Sequence, residues 1–192
     1  MKSHRRWLWV VFFALTLLFS GAVLQANDNN DTVVRWDIVH VPPFCPAPGG
    51  NASAMTHHNN NETITLTGSG TFKPGDPEEV TGGGTWTTAA GSGTYTVTKL
   101  VSWLRAPGAL TCPNDTIPGE RAPGLAVLRI KYNDGSRGVL FVSCRLPGSP
   151  PSMFEGVAVS KGVVGYVHNV EPIGGVDANR TLFHIQTENE ND

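Results

Sequence analysis

Three ionisable side chains stand inside otherwise apolar stretches of the sequence: Glu155, Lys161 and His184. A group of this kind that faces the interior of a fold has a shifted pKa and is a candidate for proton transfer. Alternation of polar and apolar residues does not decide which face each one takes, and exposed ionisable groups are the more common case. An inward Glu155 or His184 beside a cavity would favour an enzyme.

Other residues with chemical potential lack the partners that their chemistry needs. His57 and His58 are adjacent in an Asn-rich stretch without a third ligand in reach, which predicts a solvated loop and no metal site. Ser69 and Ser92 stand in Gly-Ser-Gly, whereas a nucleophile elbow needs Gly-x-Ser-x-Gly before a helix. No cofactor motif is present, so we expect no cofactor and favour a protein that is not an enzyme.

A short repeat, Gly-x-Gly-Thr-aromatic, occurs at residues 68–72, 82–86 and 91–95. In each copy the two glycines and the ring have the same parity and therefore share one face of a strand. One interpretation is structural: the glycines let curved strands bend, and the ring covers the bare backbone. The alternative is a ligand cavity. Its predicted lining is Phe72, Gly84, Trp86, Tyr95 and Trp103.

The three cysteines allow at most one intramolecular disulfide. Cys45 and Cys112 stand in proline-rich loops, whereas Cys144 stands in the apolar strand VLFVSCRLP. We therefore predict a Cys45–Cys112 bond and a buried Cys144 thiol, with three unbonded cysteines as the alternative. No CxxC pair or Cys/His spacing typical of zinc is present.

The N-terminus has the layout of a secretory signal peptide: basic residues within 2–6, an apolar run over 7–19, then small residues. We predict cleavage after Ala26, with Ala22 as the second candidate and an uncleaved anchor as the alternative. The mature chain would then be secreted, periplasmic or part of the cell envelope. Such compartments are oxidising, which agrees with the predicted disulfide.

Charge disfavours two classes of partner. Removing residues 1–26 removes three of the 14 basic residues and none of the 16 acidic ones, so the formal net charge falls from −2 to −5. Nucleic acids and anionic membranes bind clustered basic residues, and this acidic sequence has no basic stripe. We therefore predict no nucleic-acid partner and, after cleavage of the signal peptide, no membrane partner. A small apolar molecule is the expected partner.

Period-two alternation predicts an all-β fold. The stretch ETITLTGSGTF alternates apolar residues with Thr or Ser, and Asn133-Asp134-Gly135 between two such runs predicts a tight hairpin. About eight strands are expected in one antiparallel β-barrel over residues 32–186, with a β-sandwich as the alternative. Residues 154–168 could include a short helix. Residues 27–31 and 187–192 are polar and are expected to be disordered tails.

The leading functional hypothesis is a small exported β-barrel that binds an apolar molecule without catalysis. An isomerase or cyclase on the same scaffold is the first alternative. A surface interaction module with a filled core is the second, and a core packed solid with Phe72, Trp86 and Trp103 would favour it.

Overall fold

The computed structural model describes residues 32–41, 45–57, 62–174 and 176–187. The predicted signal peptide, the N-terminal tail and residues 188–192 of the predicted C-terminal tail lie outside these ranges. Every regular element within them is a β-strand, which confirms the all-β class. None of the described segments contains a helix long and apolar enough to cross a membrane.

The strands are numbered in chain order. They are β1 (Thr32–His40), β2 (Ala47–Pro48), β3 (Ala52–Met55), β4 (Thr63–Leu66), β5 (Ser69–Lys73), β6 (Asp76–Val80), β7 (Gly83–Thr88), β8 (Gly91–Arg105), β9 (Glu120–Ala122), β10 (Gly124–Tyr132), β11 (Arg137–Cys144), β12 (Gly156–Lys161), β13 (Val164–Tyr166), β14 (His168–Asn169) and β15 (Arg180–Thr187).

All ladders are antiparallel and join the strands into one large sheet. Neighbours along its main path follow the order β13, β12, β11, β10, β8, β7, β5, β1, β15 and β9. From this path β4, β3 and β14 branch off at β7, while β2 pairs with β1 and β6 with β5. The path is not closed by a ladder between β13 and β9, and the strands are shorter and more numerous than the expected eight.

The core forms because alternate side chains of each strand face inward. On β1 the inward positions are Val34, Trp36 and Ile38, none of which is exposed. On β10 the same rule buries Leu128 and Ile130. Removing this much apolar surface from water is the main stabilising contribution to the fold.

The predicted hairpin at Asn133-Asp134-Gly135 is confirmed. Strands β10 and β11 pair in antiparallel register on either side of it. Gly135 has φ +87°, which glycine adopts without steric cost, and its N–H donates to the carbonyl oxygen of Tyr132 at 3.0 Å. Residues 154–168 form β12, β13 and the start of β14, so the alternative of a short helix in this segment is wrong.

A long connection between β8 and β9, residues 106–119, packs against β15, where Asp115 lies 2.9 Å from His184; we call this connection the disulfide loop. It carries Cys112, whose bond to Cys45 confirms the predicted pairing. Cys144 is a buried thiol, also as predicted. The loop buries Ile117 and accepts a hydrogen bond from Gln186 at the Pro118 carbonyl, so β15 is covered on both faces.

Candidate functional site

A pocket of about 230 Å³ lies beneath the disulfide loop, and we call it the Glu155 pocket. Its apolar walls come from four segments, which explains why no local motif marks it. They include Val39, Val41, Leu110, Leu146 and Leu182. Glu155 supplies a carboxyl group to this lining, and Arg145 and Arg180 add two guanidinium groups.

Glu155 is buried and held by three hydrogen bonds. Its Oε1 accepts from the N–H of Thr181 at 2.7 Å and from Thr181 Oγ1 at 3.3 Å. Its Oε2 accepts from the N–H of Arg145. The carboxyl group therefore links Arg145, which follows β11, to Thr181 at the beginning of β15. These hydrogen bonds fix the orientation of the Glu155 side chain.

Burial is the dominant influence on the acidity of Glu155. It raises the pKa of this carboxyl to about 7, although the hydrogen bonds from Arg145 and Thr181 and the charge of Arg180 act in the opposite direction. Protonated and ionised forms are therefore both populated near neutral pH. Such a group can donate a hydrogen bond, accept one, or move a proton.

The two arginines of the pocket differ in their partners. Arg145 donates to the Met153 carbonyl at 3.1 Å and to Glu171 at 3.2 Å. Within the described segments Arg180 makes no side-chain hydrogen bond or ion pair, and its charge acts on Glu155. Arg180 can therefore meet a polar or anionic group of a bound molecule.

His184 does not line the pocket but stabilises the loop that forms its wall. Its ring is fully buried, and Nε2 lies 2.9 Å from Oδ2 of Asp115. Asp115 also pairs with Arg121, which donates to the carbonyl oxygens of Leu110 and Cys112 at 2.6 Å each. The disulfide and this network together fix the loop over the pocket.

The acidity of Asp115 follows from the same contacts. Burial alone would raise the pKa of this carboxyl, but hydrogen bonds from His184, the Ile117 N–H and Arg121 outweigh it and hold the pKa below its usual range. The carboxylate is therefore ionised at neutral pH, which keeps the Arg121 ion pair intact.

The four aromatic residues of the predicted glycine–aromatic site divide between two groups of rings. Phe72 lies 5.5 Å from Trp103, centre to centre, whereas Trp86 and Tyr95 both pack against Tyr132 at 5.9 and 6.3 Å. At the fifth position, Gly84, an added Cβ would lie 1.9 Å from the Thr67 carbonyl oxygen. The ligand site at these residues stays a prediction.

Lys161, the third ionisable residue singled out by sequence, lies against aromatic rings. Its Nζ is 4.3 Å from the ring centre of Trp86 and 5.0 Å from that of Tyr132. It also pairs with Asp134, and the hydrogen bonds from Lys161 and Ser136 together lower the pKa of Asp134 to about 2. These contacts assign Lys161 a packing role.

The histidine pair is only partly described. The ring of His57 lies 6.3 Å from that of His168, and His58 lies outside the described residues. Over the described ranges no three His, Cys, Asp or Glu side chains are close enough to hold a metal ion.

Fold and site together define an all-β, disulfide-bonded protein with an apolar pocket around one buried carboxyl group. Comparisons with protein-family models, with curated proteins and with solved structures found no match to the chain. Any functional assignment therefore depends on the geometry of its own residues.

Proposed function

We propose that the protein binds a small, largely apolar molecule carrying one polar group, and that the Glu155 pocket is its binding site. The observation that carries this proposal is the combination of apolar walls with a buried carboxyl group in a space of about 230 Å³. Binding sites for small molecules have this composition: mostly apolar lining and a few polar groups that fix orientation.

The volume limits the size of the ligand. An apolar cavity of about 150 Å³ accommodates benzene, so a single ring with a short substituent suits the Glu155 pocket. A hydroxyl group on that ring could donate to ionised Glu155. Phenol is the simplest molecule with these properties, toluene lacks the hydroxyl, and benzoate would bind Arg180 instead.

The proposed location is the exterior of the cell or its envelope, including a periplasm. Two observations support it: the basic, apolar and small-residue order of the N-terminus, and the Cys45–Cys112 bond, since disulfides persist in oxidising compartments.

Titration calorimetry of the exported protein with toluene, phenol and benzoate tests the proposal. We expect phenol to bind more tightly than toluene. Val41→Trp should weaken phenol binding at least tenfold because Val41 lines the pocket rim and is 37 % exposed, so a larger side chain fills the space without disrupting the core. Val163→Trp, at a fully exposed position, is the matched control. Absence of binding for all three probes, or unchanged phenol binding by Val41→Trp, contradicts the proposal.

A second candidate is an isomerase that moves a proton within a small ketone. The observation that favours it is the pKa of Glu155, about 7, at a position lining an apolar pocket. The test substrate is 3-cyclohexenone: Glu155 would remove a proton from C2 and return it at C4, giving 2-cyclohexenone of identical composition. We expect Glu155→Gln to abolish this conversion. If the unaltered protein is no faster than buffer, the binding protein is retained and the isomerase is rejected.

A further inference from the structure

A groove of about 560 Å³ lies on the outer face of β8, β10 and β11. It shares no lining residue with the Glu155 pocket. Its lining consists of Thr98, Arg129, Ile130, Lys131, Arg137, Gly138 and Val139. Three of these seven residues are basic and none is acidic, although the chain as a whole has more acidic than basic residues.

The strand register brings the three cations together. Arg129 and Lys131 alternate along β10 with buried residues and therefore project from the same face. The hairpin places Lys131 directly opposite Arg137 on β11. Like charges directly opposite one another destabilise an antiparallel pair, so the fold retains a contact that opposes its own stability.

No acidic partner within the described segments offsets these charges. The neighbouring cation, Lys99, is paired with Glu78. Arg129, Lys131 and Arg137 make no ion pair or side-chain hydrogen bond with another described residue. Departures from local pairing rules are expected where a protein meets a partner, because the partner supplies the missing contact.

The spacing of the cations suits a polymer that carries oxyanions. Residues two apart on a strand are separated by about 7 Å, and cross-strand neighbours by about 5 Å. Arginine holds an oxyanion through two parallel N–H donors. The groove is also much larger than one such ion requires. We propose that Arg129, Lys131 and Arg137 form a binding site for a sulfated polysaccharide.

Two other polyanions fit the groove less well. Single-stranded nucleic acid is usually held by base stacking on aromatic side chains, and none of the seven lining residues is aromatic. A membrane surface is flat, whereas the cations here line a concavity. A sulfated sugar chain needs neither a stacking ring nor a projecting apolar residue.

Titration of the full exported protein with a heparin-derived hexasaccharide tests this proposal, and it is independent of the Glu155 pocket. We expect Lys131→Gln/Arg137→Gln to bind the hexasaccharide at least tenfold more weakly. Its thermal unfolding midpoint should be equal to or above that of the unaltered protein, because one like-charge pair is removed. Lys73→Gln/Arg105→Gln loses the same net charge from cations that are paired with Glu79 and Glu120, and should bind as the unaltered protein does.

Each of the following results would overturn the proposal. The first is no binding of the hexasaccharide, and the second is undiminished binding by Lys131→Gln/Arg137→Gln. The third is an equal loss in the control variant, which would indicate a general charge effect. The fourth is tighter binding of a ten-residue oligothymidylate, or of phosphatidylglycerol vesicles, than of the hexasaccharide. An unsulfated hyaluronan hexasaccharide should bind more weakly than the sulfated one, and equal binding would reject the role of sulfate.

Discussion

The backbone N–H of Thr181 donates to Oε1 of Glu155 at 2.7 Å, so a carboxyl group from the segment before β12 is held at the beginning of β15. Both residues line the same apolar pocket. The carboxyl is therefore fixed by backbone donors but removed from water, and its proton affinity is determined mainly by burial. Under the proposed function, stability and ligand binding both depend on this one group.

The first prediction concerns stability against pH. Because the folded-state pKa of Glu155 is about 7 and its ordinary value is 4.5, the folded protein holds a proton in this interval that the unfolded chain releases. Its contribution is fully present below pH 4.5 and is lost as the pH rises through about 7. We expect the free energy of unfolding to fall by about 3 kcal/mol between pH 4.5 and pH 8.

Urea unfolding at pH 4.5 and pH 8 measures this difference. Glu155→Gln should remove most of the decrease, because glutamine does not titrate. Glu120→Gln, at an exposed carboxyl in a surface ion pair, should leave the decrease unchanged. A pH dependence that persists in Glu155→Gln would assign it to another group.

The second prediction concerns the wall of the pocket. Arg121→Met keeps the side-chain stem but removes the guanidinium group that donates to the Leu110 and Cys112 carbonyl oxygens and pairs with Asp115. We expect the free energy of unfolding to fall by about 2 to 4 kcal/mol, because one partner of a mostly buried charged pair is removed. Amide hydrogen exchange should accelerate across the disulfide loop and change little in β10.

Arg105→Met is the control for this substitution. Arg105 pairs with Glu120 at the surface, where such contacts contribute about 0 to 1 kcal/mol. If both variants lose the same stability and the disulfide loop exchanges no faster in Arg121→Met, the network does not hold the loop.

The third prediction concerns Lys161. Lys161→Met retains most of the side-chain length but removes the charge that lies over the Trp86 and Tyr132 rings and pairs with Asp134. We expect a destabilisation of about 0.5 to 1.5 kcal/mol, because cation–π contacts at partly exposed sites are of this size. Tryptophan emission should shift at the same time. The ammonium group of Lys131 has no such contact, so Lys131→Met should leave the tryptophan emission unchanged.

Several features of the fold follow from sequence because they depend on local chemistry. Alternation identified the all-β class, Asp134-Gly135 identified a hairpin, and the loop positions of Cys45 and Cys112 identified the disulfide. The sequence identifies Glu155 as a candidate but does not predict its burial. Alternation shows which residues share a face of a strand, and it does not show which of the two faces is buried. The pocket itself is built from four distant segments, so no local pattern predicts its walls.

The basic groove was missed because net charge averages over the chain. Its three cations are separated in sequence by up to eight positions, and only the hairpin register brings Lys131 opposite Arg137. A signal was nevertheless present. With Asn133-Asp134-Gly135 as a three-residue turn, residue 131 pairs with residue 137, as it does in the structure, so a charge map drawn on that ladder places the cations together.

The last prediction separates the two interpretations of the glycine–aromatic repeat. An added Cβ at Gly84 would lie 1.9 Å from the Thr67 carbonyl oxygen, which is backbone and cannot move aside without shifting a strand. At Gly91 the nearest atom to an added Cβ is a ring carbon of Trp86 at 4.0 Å, an ordinary contact. We therefore expect Gly84→Ala to lower the free energy of unfolding by about 1 to 3 kcal/mol.

Gly91→Ala should leave stability unchanged or raise it by up to about 1 kcal/mol, because alanine has fewer unfolded conformations than glycine. Urea unfolding monitored by circular dichroism compares the free energies of unfolding of the two variants. A second measurement records the tryptophan response of the folded proteins to a hydrophobic fluorescent probe. If Gly84→Ala is as stable as Gly91→Ala but no longer responds to the probe, these glycines line a ligand cavity. If Gly84→Ala is destabilised and its folded fraction responds as the unaltered protein does, the glycines permit close approach of two strands.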